Sequence, residues 1–417
     1  MLARKLFYLK KVLRNQWKKK NDLEEIQRKM MRSIITHSYK YVPFYRRAWK
    51  KCGLTPNDIK TVDDLKKLSI IKRSDVEKNY NDFIALTHKQ KYELIKKTTS
   101  GSSGKPMEIT FDYDAWDYLD AVYLRSLLAA GYKPNKPLAY YWYEPFKRMF
   151  YNSFGFMNKI YIPHSLSEEE QLEFLQKLNP EYIYYFSSSL YFIAKLMIRN
   201  GINLSPKSVI VHAEIATKNM KKVIGDAFDA PVFDHYGTNE FNRLSWECGE
   251  HVGYHVDTDS IVMEIINDNE TVADGEMGSA VITGLMNYTM PLIRYDIGDI
   301  VVPTSELCNC GRGLPLIKSI EGRRSDLIIL RGGKIITPRM FIDYICSLGG
   351  IDKFQIKYWN KDKFHVSLCC KDIKGMENNI SAAIRDLCGK KIKIKTEFTD
   401  KLSKSKRGKI KLVERIK

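Results

Sequence analysis

Between residues 137 and 200 the chain changes its apolar period repeatedly, and that alternation restricts its architecture more than any single motif. Residues 137–143 form a strand-like run, 167–178 carry apolar side chains at helical spacing, 181–186 are a short apolar-aromatic strand, and 190–200 return to helical spacing. Strands that alternate with helices build an α/β core, with helices covering the sheet. Further on, 261–266, 278–283 and 300–303 read as successive strands of a β-rich subdomain. The C-terminal quarter reads as strands 354–359 and 365–370, a helix over 376–387 and a strand over 391–397, which together make a small α+β unit. A chain of 417 residues exceeds one ordinary core, and a hydrophobic content of 44% is ample to fill more than one. No internal repeat or low-complexity linker interrupts it.

The residues that carry chemistry start with the loop 98–106, Thr-Thr-Ser-Gly-Ser-Ser-Gly-Lys-Pro, which precedes the strand-like run 107–111. Gly101 and Gly104 let a backbone approach an anion closely, Thr99, Ser100, Ser102 and Ser103 add hydroxyl donors, and Lys105 supplies positive charge, so the loop suits phosphate. It is not a Walker A loop, because its glycines stand too close and Pro106 occupies the place of the magnesium-binding hydroxyl. Four further segments follow. His235-Tyr236-Gly237-Thr238-Asn239-Glu240 joins an aromatic ring, a turn glycine and a carboxylate after the apolar strand 231–233. Arg294-Tyr295-Asp296-Ile297-Gly298-Asp299 sets an acid beyond a glycine turn. Glu321-Gly322-Arg323-Arg324-Ser325-Asp326 leads into a strand over 327–330, and Ser403-Lys404-Ser405-Lys406-Arg407-Gly408-Lys409 ends in a Gly-Lys pair.

In this order the segments resemble the adenylate-forming enzymes. With Val42-Pro43-Phe44-Tyr45-Arg46, residues 64–68 and Lys72-Arg73-Ser74-Asp75, the chain looks most like the phenylacetate-CoA ligase and capsular polysaccharide biosynthesis branch. The resemblance spans nearly the whole chain. It implies an α/β fold with a large N-terminal adenylation domain of several subdomains over 1–325 and a small α+β C-terminal lid over 326–417. It also implies ATP, Mg²⁺ and a small carboxylic acid as reactants, and an acceptor that is the thiol of CoA, an amine or a glycan. By the same resemblance the loop from Ser100 to Lys105 grips the β- and γ-phosphates, Glu240 binds Mg²⁺, and Tyr236 stacks on adenine. Asp234 makes a polar adenine contact, Ala213 and Glu214 cover the other face of the base, and Asp299 accepts from the ribose hydroxyls. Arg323 contacts the nucleotide, and Lys409 reaches the α-phosphate and acyl oxygen. Two positions depart from the family pattern. Asn239 replaces the hydroxyl residue expected before Glu240, although an amide still donates a hydrogen bond and Thr238 stands beside it. Ser325 occupies the hinge position where an aspartate or lysine is usual. Asn239, with the charge described below, also supports a second reading, a catalytically weak nucleotide- or polyanion-binding protein on the same fold.

Cys308-Asn309-Cys310 closes a segment that opens with Cys248 and holds His251 and His255. A Cys-x-Cys turn with a distant cysteine and histidine suits a tetrahedral Zn²⁺ set, the alternative being a group of reduced, partly buried cysteines acting as small hydrophobes. Matched to cysteine-bearing members of the branch, the ligands are Cys248, His255, Cys308 and Cys310, with His251 as the substitute. Four protein ligands leave no open position, so the implied role is structural. The other cysteines form no framework.

The net charge is +19, yet no recognised nucleic-acid-binding module accompanies it, so nucleic acid is not the expected partner. The densest cluster is N-terminal: Arg4, Lys5, Lys10, Lys11, Arg14, Lys18, Lys19 and Lys20, with Leu2, Leu6, Leu9, Leu13 and Trp17 at helical spacing. Such a helix either packs on the body with a solvated basic face or lies on an anionic membrane surface. No apolar stretch reaches the roughly 20 residues that span a bilayer. With lysines interrupting the apolar groups there is no signal peptide, and the expected location is the cytoplasm, with contact at the inner membrane face as the alternative. Tyr123, Tyr140, Tyr141, Trp142, Tyr143, Phe150, Tyr151 and Phe154 are candidates to line an acyl pocket or to fill ordinary core.

Overall fold

A computed structural model of the chain describes residues 2–87, 93–99, 106–145, 150–330, 333–360, 363–370, 373–389, 391–399 and 401–416. The chain forms two compact units, one of Met1–Ala129 with Tyr236–Ser319 and one of Ala130–His235 with Ile320–Lys417. The fold is mixed α/β, as the alternation of periods requires.

In the second unit the strands Lys159–Pro163, Leu138–Trp142, Tyr182–Phe186, Ser208–His212 and Val232–Thr238 lie side by side in that order and run parallel. Tyr182–Phe186 and Ser208–His212 are buried along their whole length. A parallel sheet is covered on both faces, which is why these strands read as continuous apolar runs rather than alternating ones. The helix Glu168–Leu178 begins at a capping box: the Ser167 side chain accepts from the Glu170 N–H, and the Glu170 carboxylate accepts from the Ser167 N–H. The helix Ser187–Asn200 stops at Gly201, whose φ of 63° is the left-handed conformation of a helix end. A second sheet, in the order Lys393–Phe398, Lys363–Cys370, Ile351–Asn360, Val413–Arg415, completes the unit with the helices Pro338–Ser347 and Ile373–Cys388. Its apolar face shares one core with the parallel layer, where Leu190, Ile193 and Val211 belong with Phe341, Ile356 and Leu368. Burying each such side chain contributes about 1.5–3 kcal/mol.

The first unit is built on antiparallel strands. Ile261–Asn267 pairs with Gly278–Gly284, which pairs with Tyr295–Thr304, and Asn242–Glu247 pairs with Tyr254–Val256. The strand expected to begin at residue 300 begins at Tyr295, so Asp299 lies within a strand and not in a turn beyond it. The register jumps there from Asp296 opposite Val281 to Ile300 opposite Ser279. Gly298, at φ 78°, sits in the resulting bulge, which re-aims the Asp299 side chain. The strand expected to end at residue 233 likewise continues to Thr238. Gly237 is required by a close approach and not by a turn, because a Cβ there would stand 2.1 Å from the Asn242 carbonyl oxygen.

The helix Tyr113–Ala129 buries Arg125 completely. Its guanidinium donates to Asp257 at 2.6 Å, to Asp259 at 2.7 and 2.9 Å, and to the Val12 carbonyl at 3.0 Å. Asp257 also accepts from the Trp246 indole at 2.8 Å, and Asp259 from Asn15 at 3.0 Å, so the N-terminal helix Leu2–Asn15 is tied into this network. Among the described residues no helix is long and apolar enough to cross a membrane.

Candidate functional site

The loop proposed to hold phosphate joins two paired strands, Ile95–Thr99 and Met107–Phe111, whose register sets Thr99 opposite Met107. Ser100, Gly101, Ser102, Ser103, Gly104 and Lys105 lie outside the described residues. Thr99 is buried and its hydroxyl accepts from Arg73 at 2.7 Å, while Asn239 donates its side-chain amide to the Thr98 carbonyl at 2.9 Å. The departure at Asn239 thus has a local use: it ties the turn that carries Glu240 to the stem of the loop. Thr238 uses its hydroxyl oxygen to accept from the Phe241 N–H at 3.3 Å, which closes that turn. Glu240 is half-buried and lines a crevice with Phe111, Phe241 and Asn287. Tyr236 donates its hydroxyl to Asp299 at 2.6 Å, so the ring expected on adenine and the carboxylate expected on ribose are neighbours. The first unit therefore brings Thr99, Tyr236, Gly237, Thr238, Asn239, Glu240 and Asp299 into connected turns and strands.

The second unit assembles the remaining residues. Asp234 is buried on Val232–Thr238, in register with Val211. The chain then leaves Ser208–His212 through Ala213, whose φ of 68° costs a non-glycine residue about 1–2 kcal/mol. Strain of that kind persists where the surroundings over-determine it, which is common at functional sites. Glu214, next in the chain, accepts the backbone N–H of Ile410 at 2.7 Å and that of Ser188 at 3.0 Å, together with the Ser188 hydroxyl. Burial raises the Glu214 carboxyl above its ordinary range, and the Ser188 and Ile410 donors and the Lys409 charge work against that rise. Lys409 donates its ammonium to the Ala213 carbonyl at 3.2 Å. Its backbone is fixed by a turn in which Gly408 N–H donates to Ser405 O at 2.9 Å and Lys409 N–H donates to the Ser405 hydroxyl at 3.1 Å. A Cβ on Gly408 would meet His164 at 2.7 Å, and φ there is +76°.

Arg323 is exposed at the end of the strand Leu316–Arg323. The preceding Gly322 lies against Pro338 and Ile215, at 2.9 and 3.1 Å from where a Cβ would stand. Arg339 donates to Ile320 O at 2.6 Å and to Ala216 O at 3.1 Å, which secures the Glu321–Arg323 segment to the Ala213–Ala216 segment. Sequence reasoning passed over Ser188, Arg339 and Glu168. Glu168 is buried and accepts from Lys353 at 2.7 Å and Lys404 at 2.8 Å, anchoring the basic segment that leads to Lys409. A lone serine, arginine or helix-start glutamate carries no spacing signal, so only the fold could reveal them.

A separate cluster lies in the first unit. One ligand atom each from Cys248, His255, Cys308 and Cys310 falls within 4.8 Å of the others. Cys248 Sγ and Cys308 Sγ are 3.5 Å apart, and Cys310 Sγ is 3.4 Å from His255 Nε2. A tetrahedral Zn²⁺ with Zn–S bonds of about 2.3 Å has S···S edges of about 3.8 Å, so the set fits that ion. His255 Nδ1 lies 3.3 Å from the Leu314 carbonyl, the partner that leaves Nε2 for a metal. Burial, with the nearby Arg312 and Arg125 charges, pushes the His255 imidazole down to about 4 against its Leu314 bond, so it is neutral as a ligand must be. Burial pushes the Cys308 thiol up to about 12; burial acts to raise Cys310 as well, but donors from Arg312, with Cys308 and Cys248, overcome it and hold that thiol below its ordinary value. His251 stands apart, 3.7 Å from Glu247.

No family model matches the chain. It is similar to the phenylacetate-coenzyme A ligase of Thermus thermophilus, with 26% identity over 334 residues, 74% of this chain and 72% of that protein. Protein CapK of Staphylococcus aureus is 29% identical over 338 residues, 76% of this chain and 71% of that one. Among solved structures, a 2-hydroxyisobutyryl-CoA ligase with a bound acyl-adenylate superposes with a TM-score of 0.79 at 16% identity, covering 94% of this chain and 90% of that one. Together with the ordered motifs, these likenesses set the chain beside the phenylacetate-coenzyme A ligases and CapK and agree with its resemblance to the adenylate-forming enzymes.

Proposed function

We propose that the protein is an ATP-dependent, AMP-forming carboxylate ligase whose acyl acceptor is the thiol of CoA. A carboxylate is a poor electrophile. Its oxygen attacks the α-phosphorus of ATP, the bond to pyrophosphate breaks, and the resulting acyl-adenylate is opened by the thiol with loss of AMP. Such a reaction asks the protein to orient reactants and to stabilise charge on phosphate and acyl oxygens. The observation that carries the reading is the placement of Lys409: a turn and the Glu214 carboxylate hold its backbone, and its ammonium rests on the Ala213 carbonyl, one residue from Glu214. In this role Lys409 would exchange a neutral carbonyl for the charge that develops in the transition state. Tyr236 would carry the base and Asp299 the ribose, with Asp234, Ala213 and Glu214 as further base contacts and Arg323 as a nucleotide contact. Ser100 to Lys105 would take the terminal phosphates.

Glu240 offers one hard carboxylate oxygen, which suits Mg²⁺ shared with substrate phosphates, and that ion would neutralise phosphate charge. Cys248, His255, Cys308 and Cys310 would hold a structural Zn²⁺. The domain boundary at Ser325, in the short turn Arg324–Asp326, is part of the same proposal, as is a cytoplasmic location. For the acid, Tyr140 stacks on Tyr184 at 5.1 Å, and Trp142 and Tyr184 stack on His212 at 5.3 and 3.9 Å. These rings stand toward the C-terminal ends of the parallel strands, where open α/β sheets take ligands, and they suit an aryl or other small apolar acid. Tyr141 is occupied in core stacking on Tyr185 at 4.3 Å, and Phe154 is 83% exposed, so neither serves.

Purified protein with ATP, Mg²⁺, CoA and a panel of aryl, short-chain and sugar acids is expected to yield AMP and one class of acyl thioester by mass spectrometry. AMP formed only with an amine or glycan acceptor would keep the ligase and replace CoA. ATP binding without AMP release for any acid would establish the catalytically weak binder.

A further inference from the structure

The N-terminal helix docks with only part of its apolar stripe turned to the body: Leu9 packs there and Leu2 and Leu13 are half-buried, whereas Leu6 and Trp17 face outward. At 3.6 residues per turn, Arg4, Lys5, Tyr8, Val12 and Asn15 fall within one arc of about 100°. That arc is the one docked on the body. Arg4 bonds Asp117 at 2.7 Å, Lys5 bonds Asp120 at 2.5 Å, Tyr8 bonds Asp114 at 2.8 Å, and Val12 is fully buried. The opposite arc carries Leu6, Phe7, Lys10 and Arg14, and Trp17 follows in the next turn. Leu6 is 47% exposed, Phe7 65% and Trp17 54%, and Lys10 and Arg14 are exposed beside them. The helix is therefore held by ion pairs together with the apolar packing of Tyr8, Leu9 and Val12 around Tyr118 and Val122, while Leu6, Phe7 and cations share its outer face.

The turn that follows is rigidly seated. Gly313 donates to the Gln16 carbonyl at 3.0 Å, a Cβ on Gly313 would stand 1.9 Å from Lys18 O, and the Arg312 guanidinium lies 4.5 Å from the Trp17 ring. The loop that clasps this turn presents Leu307, 82% exposed. No acidic residue precedes Asp22, and the acids that meet the helix, Asp114, Asp117 and Asp120, pair with Arg4 and Lys5 on its docked side, so Lys10, Arg14, Lys18 and Lys19 surround the exposed rings with positive charge.

We propose that this face is a peripheral membrane-docking surface, in which Leu6, Phe7 and Trp17 enter the interface of an anionic bilayer and the flanking Lys and Arg pair with lipid phosphates. An exposed Phe/Trp/Leu face edged by Lys/Arg on a helix lying flat is the arrangement that anionic lipid surfaces bind. Charge complementarity selects the occupant. The proposal is independent of the ligase reading, and its residues lie outside the proposed site.

The test is co-sedimentation of the full chain with vesicles of phosphatidylcholine and phosphatidylglycerol in equal parts, against phosphatidylcholine alone. Binding is expected only to the anionic vesicles, weakening with salt. Lys10→Glu with Arg14→Glu should weaken it by more than about twentyfold, the effect of two cations near a charged surface. Phe7→Ser should weaken it about tenfold through lost apolar burial, with the melting temperature and adenylation activity unchanged. Three results overturn the proposal: no sedimentation of the folded protein, binding that the charge reversals abolish but Phe7→Ser leaves intact, and a dimer on gel filtration that Phe7→Ser dissociates. The second would mark a general polyanion site, checked with an oligonucleotide, and the third an interface between copies of the chain.

Discussion

Replacing Glu214 by alanine separates a residue that merely supports the fold from one that places Lys409, the proposed catalytic lysine. Its carboxylate holds the Ile410 N–H at 2.7 Å, and that peptide group is the one joining Lys409 to Ile410. The bonds to Ser188 act mainly on the buried first turn of the helix Ser187–Asn200, although the Ser188 hydroxyl also lies 3.4 Å from the Ile410 carbonyl. A hydrogen bond to a charged group contributes about 1.5–3 kcal/mol. If the Ile410 bond fixes Lys409, Glu214→Ala should lower the rate of adenylation about 10- to 150-fold, the same energy expressed as a transition-state loss. ATP–pyrophosphate exchange reads the rate, and thermal unfolding reads the fold. Ser188→Ala keeps the Glu214–Ile410 bond and supplies a graded comparison, with a lower melting temperature and a smaller loss of exchange than Glu214→Ala. The decisive comparison is the double variant. In a Lys409→Ala background Glu214→Ala should cost nothing further, because two residues that act through one step are not additive. Additive losses, or a fall in melting temperature with unchanged exchange, would refute the placement role.

Arg125→Ala strands Asp257 and Asp259, both fully buried, without their cation. It should destabilise the protein by about 3–5 kcal/mol in urea unfolding. Removal of metal by a strong chelator should lower the melting temperature, and Cys310→Ser should reproduce that loss and lower the zinc content found by elemental analysis. Burial acts to raise the Glu168 carboxyl, but Lys353 and Lys404 overcome it and hold the group below its ordinary 4.5. Its contribution is therefore complete above pH 4.5 and is lost as the pH falls through the lower native value. Melting temperatures taken across that acid range should fall for the parent and change less for Glu168→Gln. Asp299→Ala should raise the KM for ATP more than it lowers kcat, since its bond to Tyr236 and the proposed ribose contact would both be made before the chemical step.

Much of this was legible in the residues. The α/β layer announced itself because fully buried strands such as Tyr182–Phe186 must be apolar throughout, and the helix Glu168–Leu178 announced itself by its apolar spacing. The clustering of Cys248, His255, Cys308 and Cys310 was legible because few residue types can ligate a metal and the sequence spaces four of them suitably. The reach of strands was not: Tyr295–Thr304 passes through a glycine that reads as a turn, and only pairing with Gly278–Gly284 reveals the bulge. Gly237 misled in the same way, since its need is space for the Asn242 carbonyl and not a positive φ. The face of the N-terminal helix was ambiguous because periodicity reports a stripe without its partner, and here ion pairs to Asp114, Asp117 and Asp120 decide which side docks. Glu168, Ser188 and Arg339 left no trace because their roles come from residues far away in the chain.

The most direct test of the ligase reading is ATP–pyrophosphate exchange with the purified protein across a panel of aryl, short-chain, amino and sugar acids. The account predicts exchange that depends on one class of acid and disappears in Lys409→Ala and Glu240→Ala while both variants stay folded. Exchange that survives in Lys409→Ala, or none with any acid from a folded protein that binds ATP, would contradict it.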